Sequence, residues 1–369
     1  MSLQPATITI YSVGLLGGSI GAALKTSGYT GRIIGLSSPD SLSKAIALGC
    51  IDEGYPYSAL KDIIDRTECL FLCSPVHAIM DVLKLLGTLP LPKGLIVSDV
   101  GSTKGEISAC AQSALPNNVH FIGGHPMAGS EKSGAVASDP YLFENAVYVL
   151  SPAPAVPEAI ISGFAKMLEQ YLGCRTLRLE SGAHDRIVAA VSHVPHILAV
   201  ALVELAARME TTAPETLRLA AGGFKDMTRI ATSPYAMWHD ILMTNRQAVN
   251  DCIDTYMNIL TEMKAGLTAG SLKEAFDNAM TTRRSIPMGN KGIINTTADI
   301  VVMAKDRPGS FLEIARVLAA ENINIKDIEV LKVREGEAGS IRLSFNSKTT
   351  AQQSVKVLNA YGFTARERE

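Results

Sequence analysis

From residue 6 to about residue 180, short β-branched and apolar runs alternate with segments of helical period. ATITIYSV (6–13), RIIGLS (32–37), TECLFLCSP (67–75), GLIVSDV (94–100), VHFIGG (119–124), NAVYVL (145–150) and RTLRL (175–179) read as strands. GGSIGAALKTSG (17–28), PDSLSKAIALG (39–49), AIMDVLKLLG (78–87), EISACAQSA (106–114) and ISGFAKMLEQYLG (161–173) read as the helices between them. Near-continuous apolar strands interleaved with helices predict an α/β fold: a Rossmann-type, doubly wound parallel sheet covered on both faces, over residues 1–180.

The strand pattern then stops for about a hundred residues. HDRIVAAVSHVPHILAVALVELAARM (184–209), PETLRLAAGGFKDMTRIA (214–231), PYAMWHDILMTNRQAVNDCIDTYMNILTEMKAGL (234–267) and LKEAFDNAMTTRRSI (272–286) all carry helical period. This predicts an all-helical domain over 181–288. Its long third segment has apolar residues through most of its turns, so it needs two buried faces, one of them against a second copy of the chain; a homodimer is expected. PMGNKGIINTT (287–297) reads as a linker. Beyond it, over 298–369, the order strand, helix, strand, strand, helix, strand predicts a small α+β unit of split βαβ type.

Composition narrows the function classes. Lys+Arg (34) and Asp+Glu (36) nearly balance, and no basic cluster occurs, which argues against nucleic acid or an anionic membrane as the main partner. Six cysteines form no CxxC pair and sit mostly in apolar surroundings, as expected of small buried side chains in a reducing compartment. The first residues lack the layout of a signal peptide, and no uninterrupted apolar run reaches the ~18 residues of a membrane span. A cytoplasmic location is expected.

The first strand runs into Ser12-Val13-Gly14-Leu15-Leu16-Gly17-Gly18 and opens a helix. This fits the dinucleotide fingerprint at its second and third glycines, with Ser12 in place of the first. Gly14, Leu15, Leu16 and Gly17 are the candidate pyrophosphate loop, facing the free N–H groups of the helix N-terminus. The acid expected ~20 residues on, at the end of the second strand, would bind the ribose of NAD. Ser37 stands there instead, so a 2′-phosphate is neither repelled nor strongly held, and NAD and NADP are both open. Asp40 is expected to cap the next helix. Ser74-Pro75 and the loop Asp99-Val100-Gly101-Ser102-Thr103-Lys104 end later strands and should line the nicotinamide crevice. Ser102 could equally be a helix N-cap.

GGHPMAGSEKSG (123–134) places His125 on the same edge of the sheet. Oxidation of an alcohol needs a hydride acceptor and a base for the hydroxyl proton, and a histidine pKa of ~6.5 suits the base. An anionic substrate needs a guanidinium, since arginine binds carboxylate in a bidentate fork. Arg229, near Asp226 in GGFKDMTRIA, is the candidate. Asp185, His193 and His196 share a helix face. They could bind a metal, but Pro195 perturbs that helix and no fourth ligand is evident, so none is expected.

Taken in order, SVGLLGGSIG, DVGSTK, GGHPMAGSEKSG, HDRIVAAVSHVPH and FKDMTRIATSPYAMWHDI resemble the prephenate dehydrogenase family of tyrosine biosynthesis, a likeness that extends to about residue 290. KDRPGSFLEIARVLAAENINI, in the last unit, resembles an ACT domain, a regulatory amino-acid-binding module. The resemblance implies NAD(P)-dependent oxidative decarboxylation of prephenate to 4-hydroxyphenylpyruvate. It implies that His125 takes the proton of the ring 4-hydroxyl, that Ser102 orients this hydroxyl, and that Arg229 binds the substrate carboxylate. His196 and His193 would lie at the side-chain pocket, Glu131 and Asp226 at its entrance, and Trp238 in its wall. Ser12 and Ser37 depart from the nucleotide pattern and leave the cofactor preference open. Arogenate, with an amine in place of the side-chain keto group, is the alternative substrate. A non-catalytic nucleotide and amino-acid sensor is the alternative of another class. In the ACT-like unit Asp306, Arg307, Pro308 and Gly309 form the turn expected to bind a regulatory amino acid, tyrosine first and phenylalanine second.

Overall fold

The computed structural model describes residues 2–129, 132–286, 298–304, 307–332 and 339–368. Two of the expected site residues, Glu131 and Asp306, lie outside the described residues, as does the 287–297 linker. The chain divides into two compact units, residues 1–291 and 292–369.

The first unit opens with β1 (Thr7–Tyr11), α1 (Leu15–Thr26), β2 (Arg32–Leu36), α2 (Pro39–Ala47), β3 (Glu53–Tyr55), α3 (Leu60–Ile63), β4 (Cys69–Leu72) and α4 (Val76–Leu86). It continues with β5 (Ile96–Asp99), α5 (Gly105–Ala114), β6 (His120–Pro126), β7 (Val147–Pro152), α6 (Glu158–Leu172) and β8 (Arg175–Arg178). These strands make one eight-stranded sheet in the order β3-β2-β1-β4-β5-β6-β7-β8. β1 to β6 are mutually parallel, whereas β7 pairs antiparallel with β6, and β8 follows β7. The reversal has a local cause: among the described residues only a 3₁₀ turn, Ala135–Ala137, lies between β6 and β7, with no α-helix to make a crossover, and an antiparallel neighbour needs none.

Both faces of the sheet are covered. Ile8, Ile10 and Phe71 pack with Ile20 and Leu24 of α1 and Phe164, Met167 and Leu168 of α6. Ile34, Leu36, Leu70 and Leu72 point the other way, toward Ile63, Ile79, Leu83 and Ile107. Alternate residues of each strand thus serve opposite cores, so the strands read as continuous apolar runs. Helix α2 is capped by Ser38, whose side chain accepts from the Ser41 N–H, rather than by Asp40, which pairs with Lys44 one turn on. A serine hydroxyl at the residue before Pro39 already reaches the free N–H groups there.

Helices α7 (Ser181–Val188), α8 (Val194–Glu210), α9 (Gly222–Thr228), α10 (Tyr235–Thr244), α11 (Arg246–Ala269) and α12 (Lys273–Ser285) complete this unit. A five-residue π-helical stretch, Ala189–His193, joins α7 to α8 just before Pro195. Proline has no N–H for the α-helical ladder, and a wider turn absorbs the mismatch. The segment read as one long helix from 234 breaks at Asn245, between α10 and α11. The segment from 214 keeps only α9 as α-helix, flanked by the 3₁₀ turns Leu217–Leu219 and Arg229–Thr232.

The helical region buries little apolar surface on itself. Its core comprises Ala189, Val194 and Val249, while Val200, Val203, Leu205, Met257, Leu260 and Phe276 are exposed. The helical stretch 181–210 is long and apolar enough by composition to cross a membrane, yet only 33% of its most apolar 18 residues are buried. The same stretch carries the buried polar residues His184, Asp185, His193 and His196, which suits a helix with one face toward a polar site.

The second unit contains β9 (Ala298–Ala304), α13 (Ser310–Ala320), β10 (Asp327–Lys332), β11 (Gly339–Phe345), α14 (Lys348–Ala360) and β12 (Thr364–Glu367). Its antiparallel sheet has the order β10-β11-β9-β12, the split βαβ arrangement. Ile300, Val302, Ile341, Leu343 and Phe345 pack against Ile314 and Leu318 of α13 and Leu358 of α14.

Candidate active site

The carboxyl ends of the central parallel strands converge on one crevice, the place where an open α/β sheet binds its ligands. After β1 the chain turns through Ser12, at φ +72, a left-handed conformation in which the fingerprint has glycine. The Ser12 hydroxyl lies 2.6 Å from the Ser74 hydroxyl and 3.0 Å from the Tyr57 hydroxyl. These contacts offset the strain of placing a side chain there. Gly14 has open space where a side chain would stand, and a Cβ on Gly17 would collide with the Ser12 carbonyl. The first allows a ligand to approach the backbone, and the second lets α1 close on β1. Ser37, buried just after β2, donates its N–H to the Tyr55 carbonyl (3.1 Å), and its hydroxyl lies 3.4 Å from the Tyr57 hydroxyl.

Leu15, Leu16, Ser74, Pro75, Gly101 and Ser102 line a cavity of about 320 Å³ along this edge. A second cavity, of about 480 Å³, is lined by Ser102, His125, Met127, Ser192, His193 and Trp238, among others. Ser102, Met237 and Ile241 line both. The nucleotide crevice and the histidine pocket therefore meet at Ser102. The first cavity lies beside the N-terminus of α1, whose first N–H groups are free to meet a phosphate, and Gly14, Leu15, Leu16, Ser74 and Pro75 are the residues that would hold a dinucleotide there.

His125 is the penultimate residue of β6, and its ring is fixed from behind. Its Nδ1 lies 2.8 Å from Nε2 of His184, and the Nδ1 of His184 lies 2.8 Å from Oδ1 of Asp185. The Asp185 carboxylate accepts the N–H groups of Lys104 (2.8 Å) and Gly105 (2.7 Å) at the start of α5. Asp185, not Ser102, therefore caps that helix, and the Ser102 side chain is left to face the cavities. Asn245 donates to the Asp185 carbonyl (2.8 Å) and to Nδ1 of His193 (3.1 Å), which ties the break between α10 and α11 to the π-helical stretch.

Beneath the imidazole, the fully buried side chains of Asp99 and Lys104 form an ion pair. Asp99 also accepts the N–H groups of Gly101 (2.8 Å) and Gly124 (3.1 Å). The paired glycines of the His125 strand follow from this packing. A Cβ on Gly123 would lie 3.3 Å from Cδ of Lys104, and one on Gly124 would lie 2.9 Å from the Tyr148 ring. Burial, then the Lys104 ammonium, then His184 and His193 hold the His125 pKa well below its usual value, so the neutral imidazole is favoured. Burial likewise lowers His193, to about 4, against a smaller opposing pull from Asp185.

Trp238 stacks on His196, with ring centroids 3.8 Å apart at 19°. Its indole Nε1 and Nδ1 of His196 are buried without a hydrogen-bond partner among the described residues. Arg229 and Asp226 are exposed and do not line either cavity, although Ser233, just after the Arg229 turn, does. In the second unit, Arg307 pairs with both carboxylate oxygens of Glu313 at 2.8 Å, and Gly309 starts α13. His184 and Ser192 are absent from the sequence-based set, and of the loop expected to line the nicotinamide crevice only Val100, Gly101 and Ser102 do so, because Asp99, Thr103 and Lys104 are fully buried. The adjacent His184-Asp185 was the available signal.

Three family models match the chain: prephenate dehydrogenase, nucleotide-binding domain (residues 20–175); prephenate dehydrogenase, dimerization domain (180–281); and ACT domain (298–354). The chain is 33% identical to a prephenate dehydrogenase of Bacillus subtilis over 98% of its length and 97% of the relative's. It is 30% identical to one of Lactococcus lactis over 95% and 97%. Among solved structures, prephenate dehydrogenase from A. aeolicus, in complex with hydroxyphenyl propionate and NAD+, aligns with a TM-score of 0.69 and 32% identity, over 77% of this chain and 97% of that one. Synechocystis arogenate dehydrogenase aligns with a TM-score of 0.66 and 26% identity, over 75% and 98%.

Proposed function

The chain belongs to the prephenate dehydrogenase family, and from that premise we propose that it oxidises prephenate at its ring 4-hydroxyl, with decarboxylation, to give 4-hydroxyphenylpyruvate. The observation that carries this reading is the junction at Ser102, where a nucleotide crevice and a histidine-lined pocket share a wall. The bound nicotinamide cofactor supplies the hydride acceptor.

The protein's own tasks are few. Ser102 orients the 4-hydroxyl toward His125, and Nε2 of His125 takes the hydroxyl proton as the hydride leaves C4. The ketone that forms is conjugated to the ring, and loss of the ring carboxylate as CO2 restores aromaticity. Arg229 binds a substrate carboxylate at the mouth of the pocket, with Asp226 and Glu131 at the entrance. His193, His196 and Trp238 shape the side-chain end. Alignment and one proton acceptor suffice for such chemistry.

NAD is the first candidate cofactor, since the A. aeolicus relative was solved with NAD+. Ser37 leaves NADP admissible, because no carboxylate there repels a 2′-phosphate. Arogenate is the second reading, favoured by the likeness to the Synechocystis arogenate dehydrogenase. The active form is a homodimer joined through the exposed apolar faces of α8, α11 and α12. The ACT module binds tyrosine at the turn of Asp306, Arg307, Pro308 and Gly309, as feedback on the pathway product.

Prephenate and arogenate, each assayed with NAD and NADP and repeated with added tyrosine, test all of this. The expected result is reduced nicotinamide and 4-hydroxyphenylpyruvate from prephenate, suppressed by tyrosine. No turnover in any combination would favour the non-catalytic sensor, and neither inhibition nor binding by tyrosine would remove feedback control.

A further inference from the structure

We infer that His184 and Asp185 act as positioning residues that hold His125 in the tautomer with its proton on Nδ1, so that Nε2 presents its lone pair to the pocket. The argument starts from groups whose hydrogen-bonding roles are fixed. The backbone N–H groups of Lys104 and Gly105 can only donate, so both oxygens of Asp185 are acceptors. The helix that begins at Gly105 favours negative charge at this end. Nδ1 of His184, 2.8 Å from Oδ1, must therefore donate to it. In the neutral ring this leaves Nε2 of His184 as an acceptor, and the atom it faces at 2.8 Å is Nδ1 of His125. His125 then carries its proton on Nδ1, and its other nitrogen is free.

The same chain acts during turnover, and this part rests on the function proposed above. When Nε2 of His125 accepts the hydroxyl proton, the imidazolium keeps its Nδ1–H bond to His184, and Asp185 polarises that ring from the far side. The arrangement follows the logic of a base oriented by a third group, lengthened by one imidazole. The other charged and titratable groups around the pair are accounted for. Lys104 is held by Asp99, and His193 accepts from Asn245. His184 is fully buried, so the relay is shielded from water.

Seven histidines make the test tractable by ¹⁵N NMR on histidine-labelled protein. The His125 ring, assigned by its loss in His125→Asn, is expected as the Nδ1–H form. Finding the Nε2–H form in the unsubstituted enzyme overturns the inference, because His184 would then be the donor. Kinetics give an independent arm. In His184→Leu the acceptor for Nδ1–H is gone. Turnover should fall about 10²- to 10⁴-fold with little change in KM, and the acid limb of kcat/KM should move to lower pH. His184→Gln, whose side-chain oxygen can accept from Nδ1, should recover much of the loss. Packing damage alone would shift the melting temperature and KM, leave the acid limb in place, and make Gln no better than Leu; that outcome contradicts the relay. If no substrate is turned over at all, the proposed function fails while the tautomer result still decides the positioning claim.

Discussion

Asp99 and Lys104 share an ion pair from which water is excluded on both sides, directly under the strand that carries His125. Burial pushes the Lys104 pKa down, and the Asp99 carboxylate opposes that shift. The pair also spans two strand ends, since Asp99 binds the Gly101 and Gly124 N–H groups. Removing one member of a buried pair leaves the other uncompensated, a loss of about 3–5 kcal/mol. Asp99→Asn should therefore lower unfolding free energy by about that amount in urea titrations. Unchanged stability would show that the pair is dispensable.

Arg229 is predicted to act on binding. It sits on an exposed turn that leads to Ser233 in the pocket wall. A charged hydrogen bond to carboxylate contributes ~1.5–3 kcal/mol, or about 10- to 100-fold in affinity. Arg229→Ala should raise KM for prephenate by that factor with a smaller change in kcat. An unaltered KM removes Arg229 from the substrate clamp.

His193 makes stability depend on pH. Its folded pKa, about 4, lies below the ordinary histidine value of 6.5, so the unfolded chain binds the proton first as pH falls. Its contribution is complete above pH ~6.5 and is lost progressively toward pH ~4, at most about 3–4 kcal/mol. In His193→Asn, unfolding midpoints followed from pH 7 to 4 should flatten relative to the parent. Parallel curves would mean that His193 does not titrate on unfolding.

The alternation of strands and helices made the sheet legible, because parallel strands buried on both faces are apolar throughout. The reversal at β7 was hidden, since strand direction depends on the connection rather than on the strand's own residues. Ser102 and His125 were legible because each lies at or just beyond the carboxyl end of a strand on the ligand-binding edge. His184 was not: it lies beside Asp185 in sequence but meets β6 only through the packing of α7, and no local pattern encodes that pairing. The Gly123-Gly124 pair carried a readable sign of crowding, but that the Lys104 stem filled one side required coordinates. For Arg229, residue type suggested a clamp, and the fold sets it on a turn outside the cavity linings.

The most direct test of the central claim is steady-state prephenate oxidation by His125→Asn, with substrate affinity measured alongside. Loss of the base predicts a kcat about 10²–10⁴-fold lower while prephenate still binds. Turnover near that of the parent enzyme would contradict the assignment of His125 as the proton acceptor.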